Sequence, residues 1–221
     1  MDESILRELY CERRMSMMQI ATAQHTTHAR VLYWLKKHGI QRRSWSESTY
    51  IKRNPSGDPF ALLTDLSAEQ QRLLLSGLML YWGEGRKGSG KIEIANLDVR
   101  VLQVFVKFLR QVCRVNEARL SLSVLLHRSF DRAVAQQYWA EELGLPVSNV
   151  KAYHHRDERS KPRAQWSPYG IATLGFHNVK LKQWLMNSME TQIQELLAED
   201  STGSHNGHGL IQEAMPAYLV N

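Results

Sequence analysis

Residues 67–85 read SAEQQRLLLSGLMLYWGEG, and the fold turns on how this stretch is read. Ser67 with Gln70 three residues on is a capping-box pair that opens a helix. From Leu73 to Trp82 the chain is apolar nearly all round, so a helix over 67–83 is expected to be buried on most sides. It closes on Glu84 between Gly83 and Gly85. Each glycine disfavours a helix by about 1 kcal/mol against alanine, and a close backbone approach is the expected reason for it. Glu84 also sits where the helix macrodipole is negative, which argues for a role beyond packing.

Downstream, helical and strand periods alternate. Lys91–Asn96 reads as a short strand, and Val99 to Cys113 as a helix with Val101, Leu102, Phe105, Phe108, Leu109 and Val112 on one face. Arg119–His127 alternates with Leu120, Leu122, Val124 and Leu126 facing one way. A helix over Phe130–Leu143 stops at Gly144, with Pro146 beyond it. Val147–Tyr153 and Pro168–Phe176 follow as strands, and a helix capped by Asn178 runs to Leu197. Between those strands, residues 154–166 form a polar basic loop. Trp139, Trp166 and Trp184 are expected in the core.

Upstream, residues 5–38 read as helices. Ser16 and Gln19 form a second capping box, and Thr27 caps a third helix. Ile20, Ala21, Val31 and Leu35 would meet where two helices cross steeply, Ala21 being small because the crossing is close. His28, Ala29, Arg30, Tyr33 and Lys37 then face solvent, and such side chains, with Thr27 at the helix start, suit DNA contact in the major groove. Arg42, Arg43, Lys52 and Arg53 follow in turn-rich sequence and are candidate phosphate contacts. Asn54-Pro55, Ser56-Gly57 and Asp58-Pro59 mark residues 44–66 as a linker.

The chain has 221 residues and a formal net charge of +6. Residues 1–66 carry +3, residues 67–197 carry +6 and residues 198–221 carry −3. That balance permits a polyanionic partner. No apolar run reaches membrane-spanning length, and the N-terminus lacks a secretory pattern, so a cytoplasmic setting is expected. Two cysteines, Cys11 and Cys113, make neither a disulfide framework nor a four-cysteine zinc site. Gly85-x-x-x-x-Gly90-Lys91 is followed by Ile92 instead of Ser or Thr, so it is not a phosphate-binding loop.

The segment 5–42 resembles the helix-turn-helix of bacterial DNA-binding proteins, with Gln24, His25 and Thr26 replacing the usual apolar-Gly-apolar turn. His25 would then need a left-handed backbone. The window Gly77–Gly85 resembles the motif of the LAGLIDADG homing endonucleases, with Glu84 on the metal-binding acid, Gly85 on the closing glycine and Leu80 on the second leucine. Met79 and Trp82 stand where small or acidic residues are usual. Asn54–Phe60 (NPSGDPF), Leu80–Lys87, Asn96-Leu97-Asp98 and Tyr169–Asn178 (YGIATLGFHN) are similar to a prokaryotic group that pairs the two modules.

These resemblances imply an α+β fold: a helix-turn-helix over 1–43, a linker over 44–66, a LAGLIDADG-like domain over 67–197 and a flexible acidic tail over 198–221. They imply a homodimer through the 67–83 helix, because one acid per chain does not complete a nuclease site. Glu84 would hold Mg2+, Lys87 would stabilise phosphoryl charge, and the strand face with Arg119, Ser121, Ser123, His127, Lys151 and Tyr153 would meet double-stranded DNA. Three readings remain open at this point. They are a sequence-specific DNA-binding regulator, a Mg2+-dependent endonuclease, and a partner-binding protein that uses no nucleic acid.

Overall fold

Capping side chains start the helices where the sequence places them. In a computed structural model that describes residues 1–88, 90–155 and 167–199, the chain divides into two units, Met1–Asp58 and Pro59 onward. Ser16 closes its capping box with Gln19 at the head of helix α2 (Met17–Ala23), which follows α1 (Glu3–Arg7) and one π-helical turn over Glu8–Glu12. Thr27 accepts from the Arg30 amide and starts α3 (His28–Lys37). Between α2 and α3, His25 takes φ 49°, the left-handed backbone the turn requires. The core of this unit is small. Leu6, Leu9, Tyr10, Ile20, Ala21, Val31, Leu35 and Ile40 are its buried apolar side chains.

A fourth helix, α4 (Trp45–Arg53), corrects the expectation of a linker over 44–66. Its start is local in the sequence. Ser44 and Glu47 make a full capping box, but the turn formers at 54–59 dominated the reading.

The second unit is α+β. Its elements are α5 (Ala68–Glu84), β1 (Ile92–Asn96), α6 (Val99–Gln111), β2 (Leu120–Leu126), α7 (Arg132–Leu143), β3 (Val150–His154), β4 (Ile171–Phe176) and α8 (Val179–Glu199). The strands lie in the order β1-β4-β2-β3, with β2 and β3 parallel and the other pairs antiparallel. Gly144 at φ 58° ends α7, and Asn178 accepts from the Leu181 amide at the head of α8.

One sheet face is buried. Ile92, Ile94, Leu122, Val124, Val150, Ala172 and Leu174 pack with the helices around Phe105, Phe108, Trp139 and Trp184. The other face stays open, carrying Glu93 and Ala95, then Ile171, Thr173 and Gly175, then Ser121, Ser123 and Leu125, then Lys151 and Tyr153. Residues 156–166, including Trp166 and most of the expected basic loop, lie outside the described residues, as do residues 200–221 of the expected tail. No described helix is long and apolar enough to cross a membrane.

Helix α5 differs from its expected burial nearly all round. Leu73, Leu74, Gly77, Leu78 and Tyr81 face inward. Leu75 is 41% exposed and Trp82 52%, with half-buried Met79 between them at helical spacing. The packing partners of α5 are α6, α8 and β1, which leave a narrow apolar stripe open. Gly77 explains how α6 comes so near. A Cβ there would lie 2.3 Å from Cγ of Phe108. Gly85 is a second close approach, its Cβ position falling 2.4 Å from the Tyr81 carbonyl, whereas Gly83 meets nothing.

Candidate nucleic-acid interface

On α3, Val31 and Leu35 are fully buried against α2, and the helical period carries His28, Arg30, Tyr33 and Lys37 to the surface. Arg30 is held in place, its guanidinium carbon 5.6 Å from the Trp34 ring centroid. Cation–π contact of this kind limits the freedom of a long side chain before any partner arrives. Thr27 spends its hydroxyl on the cap of α3, so it acts on helix position more than on a ligand.

Arg42 is exposed, and Lys52 and Arg53 end α4, lining one concave surface with Arg13, Arg14 and Trp45, the last 85% exposed. Arg43 is a correction. Its guanidinium donates to the carbonyls of Arg14 and Met15 and lies 4.1 Å over the Tyr10 ring, while its amide donates to the Tyr10 hydroxyl at 2.9 Å. It ties residues 14–15 to the start of α4, so both of its terminal nitrogens are engaged within the unit. Nothing local in the sequence separates Arg43 from Arg42, because the tie runs across about thirty residues.

On the second unit, Ser121, Ser123, Lys151 and Tyr153 stand on the open sheet face, as the alternation of Leu120–Leu126 requires. Ser121 donates to the Gly175 carbonyl at 3.3 Å. Arg119 lies half-buried in a single 3-10 turn before β2. His127 is the second correction. Strand parity puts it on the open face, but β2 ends at Leu126 and the chain bends toward α7. The ring is 7% exposed, its Nδ1 lies 2.7 Å from the Ser129 hydroxyl, and its edge meets Phe130. The alternation has no meaning past the last ladder residue.

Glu84 ends α5 exposed to solvent and makes no hydrogen bond or ion pair among the described residues. No group of three His, Cys, Asp or Glu side chains among the described residues is placed to hold a metal ion. A single carboxylate leaves the rest of the Mg2+ octahedron to water, phosphate oxygens or a second acid. Lys87 donates to the Trp82 carbonyl, so it caps the helix end. An orphan carbonyl at a helix terminus is a natural partner for lysine.

Behind this end lies a residue that the sequence reading missed. Lys182 of α8 is 6% exposed, donates to the Arg86 carbonyl at 2.7 Å and to the Tyr81 hydroxyl, and has its ammonium 4.5 Å from the Tyr81 ring centroid. Burial lowers its pKa, and the charge of Lys87 pushes the same way. Burial also pushes the Tyr81 phenol up to about 12. Lys182 therefore holds residues 85–87 against α8. Its signal was a lysine between Leu181 and Leu185 on the buried face of a helix. No family model matches this chain, and neither a curated protein nor a solved structure matches it.

Proposed function

We propose that this protein is a sequence-specific double-stranded DNA-binding protein, with a transcriptional regulator as the natural role. The observation that carries the reading is α3. It is a helix anchored by two buried residues, led by a left-handed turn at His25, and it presents Arg30, Tyr33 and Lys37 on one accessible surface. This is the chemistry a helix-turn-helix places in the major groove, where arginine bonds guanine in bidentate fashion. In the same reading the open sheet face adds a second contact, and the stripe Leu75, Met79 and Trp82 pairs two copies through α5.

The test uses sheared genomic DNA incubated with the full chain in Mg2+, followed by sequencing of bound fragments and of any new ends. Discrete enriched sites without new ends are expected. New ends at a long site would transfer the reading to an endonuclease, and Glu84→Gln would be the variant to compare. Absence of enrichment, or binding that does not weaken with salt, would remove nucleic acid from the function.

A further inference from the structure

The open sheet face is uneven. Over β1 and the adjoining half of β4 and β2 its floor is short: Ala95, Thr173, Gly175, Ser121 and Ser123. At the other end three large apolar groups stand in a row across three strands. Leu125 pairs in register with Ile171 on one side and with Tyr153 on the other. They are 46%, 48% and 51% exposed, in the order Leu125, Ile171, Tyr153.

Two classes of partner suit exposed apolar groups, and the surroundings choose between them. A standard protein interface takes about 20–30 residues a side, with charges depleted from its centre. Hydroxyls and Lys151 border these three side chains, so the centre of this face is too polar for that. The acid on this face, Glu93, is already engaged by Arg86 at 3.3 Å and Lys91 at 4.0 Å. The other open positions of the four strands carry no carboxylate, so nothing there repels a phosphate backbone.

Within the major groove one base offers an apolar group beside a hydrogen-bond acceptor. Thymine presents its 5-methyl next to O4. The row supplies the complementary pair, Leu125 and Ile171 for methyls and the hydroxyls of Tyr153, Ser123 and Thr173 for O4. Adjacent strands lie about 4.8 Å apart, so the row spans about 10 Å. That is the stacked length of roughly three bases at 3.4 Å each.

Resting on the DNA-binding reading above, we propose that Ile171, Leu125 and Tyr153 are specificity-determining residues that read the 5-methyl groups of a short thymine-bearing run in the bound site. Arg30 and the rest of α3 read a separate part of the same site.

The experiment takes the duplex recovered from a random pool by the full chain and replaces each thymidine in turn with deoxyuridine, which removes the methyl alone. Two or three neighbouring positions are expected to lose about fourfold in affinity per methyl, the loss expected for one buried methyl group. The losses should vanish in Leu125→Ser/Ile171→Ser, checked for an unchanged melting temperature, and persist in Arg30→Ala. If that double variant misfolds, Leu125→Val/Ile171→Val should reduce the losses without abolishing them. Binding with no deoxyuridine effect at any position would overturn the proposal and leave the DNA-binding reading standing. So would losses that survive in the folded double variant. A monomer produced by Leu125→Ser would overturn it in favour of self-association. Failure to recover any duplex would overturn the DNA-binding reading itself, and this inference with it.

Discussion

The two units reach function from opposite structural positions. The first rests on eight buried apolar side chains and spends nearly all the rest of α3 on surface chemistry. The second has a core several times larger, and its candidate surfaces are what that core leaves over: one sheet face, one stripe of α5 and a helix end. A small core tolerates little loss, since a domain near sixty residues buries a modest fraction of its chain. The lesson is that in the first unit a surface substitution on α3 lies one helix face away from most of the core, whereas in the second the open surfaces can change with most of the core untouched.

The largest expected break is Leu35→Ala. Removing a fully buried leucine from so small a core costs about 2–5 kcal/mol. Loss of the first unit's melting transition, and of DNA binding, is expected while the second unit melts as before. A single merged transition would show that the units do not fold independently.

Gly77→Ala applies the converse test. The new methyl would collide with the Phe108 ring, so an overpacking cost of about 1–3 kcal/mol is expected in the second unit alone. An unshifted transition would mean that α5 and α6 slide apart freely. Next, Arg30→Ala should relax selectivity at one base pair, by about 1–3 kcal/mol if it reads a guanine. Equal weakening on every sequence, measured by titration at fixed salt, would reduce Arg30 to a phosphate contact. The smallest effect belongs to His25→Gly. Relief of the left-handed strain exceeds the added freedom of the unfolded chain, so thermal melting should show a gain of up to about 1 kcal/mol.

Much of the fold was legible because its signals are local. Ser16 with Gln19, Thr27, and Ser67 with Gln70 accept from amides three residues away, and the Gly144 amide donates to the carbonyls of Ala140 and Glu141, each as the local sequence requires. The alternation of Leu120, Leu122, Val124 and Leu126 foretold both faces of β2. The site was less legible. His28, Arg30, Tyr33 and Lys37 reach the surface as the helical period demands, but Arg43 is half-buried with its guanidinium tied to the carbonyls of Arg14 and Met15, and His127 is buried. Lys87 is exposed yet occupied at the end of α5, and Lys182 is buried between Leu181 and Leu185, a charge on an apolar helix face whose partners lie far away in the chain.

The sequence by itself determined the strands and every long helix except α4, where most of them begin and end, and which side of α3 and β2 is apolar. Periodicity and capping are properties of neighbours along the chain, so no partner is needed to read them. Tertiary structure alone decided the strand order, the stripe of α5 left uncovered, the row that joins Ile171, Leu125 and Tyr153, the tie of Arg43 to residues 14–15, and the burial of His127 and Lys182. Most of these depend on contacts between residues far apart in sequence, where side chains of the same type meet different surroundings and only the packed chain distinguishes them.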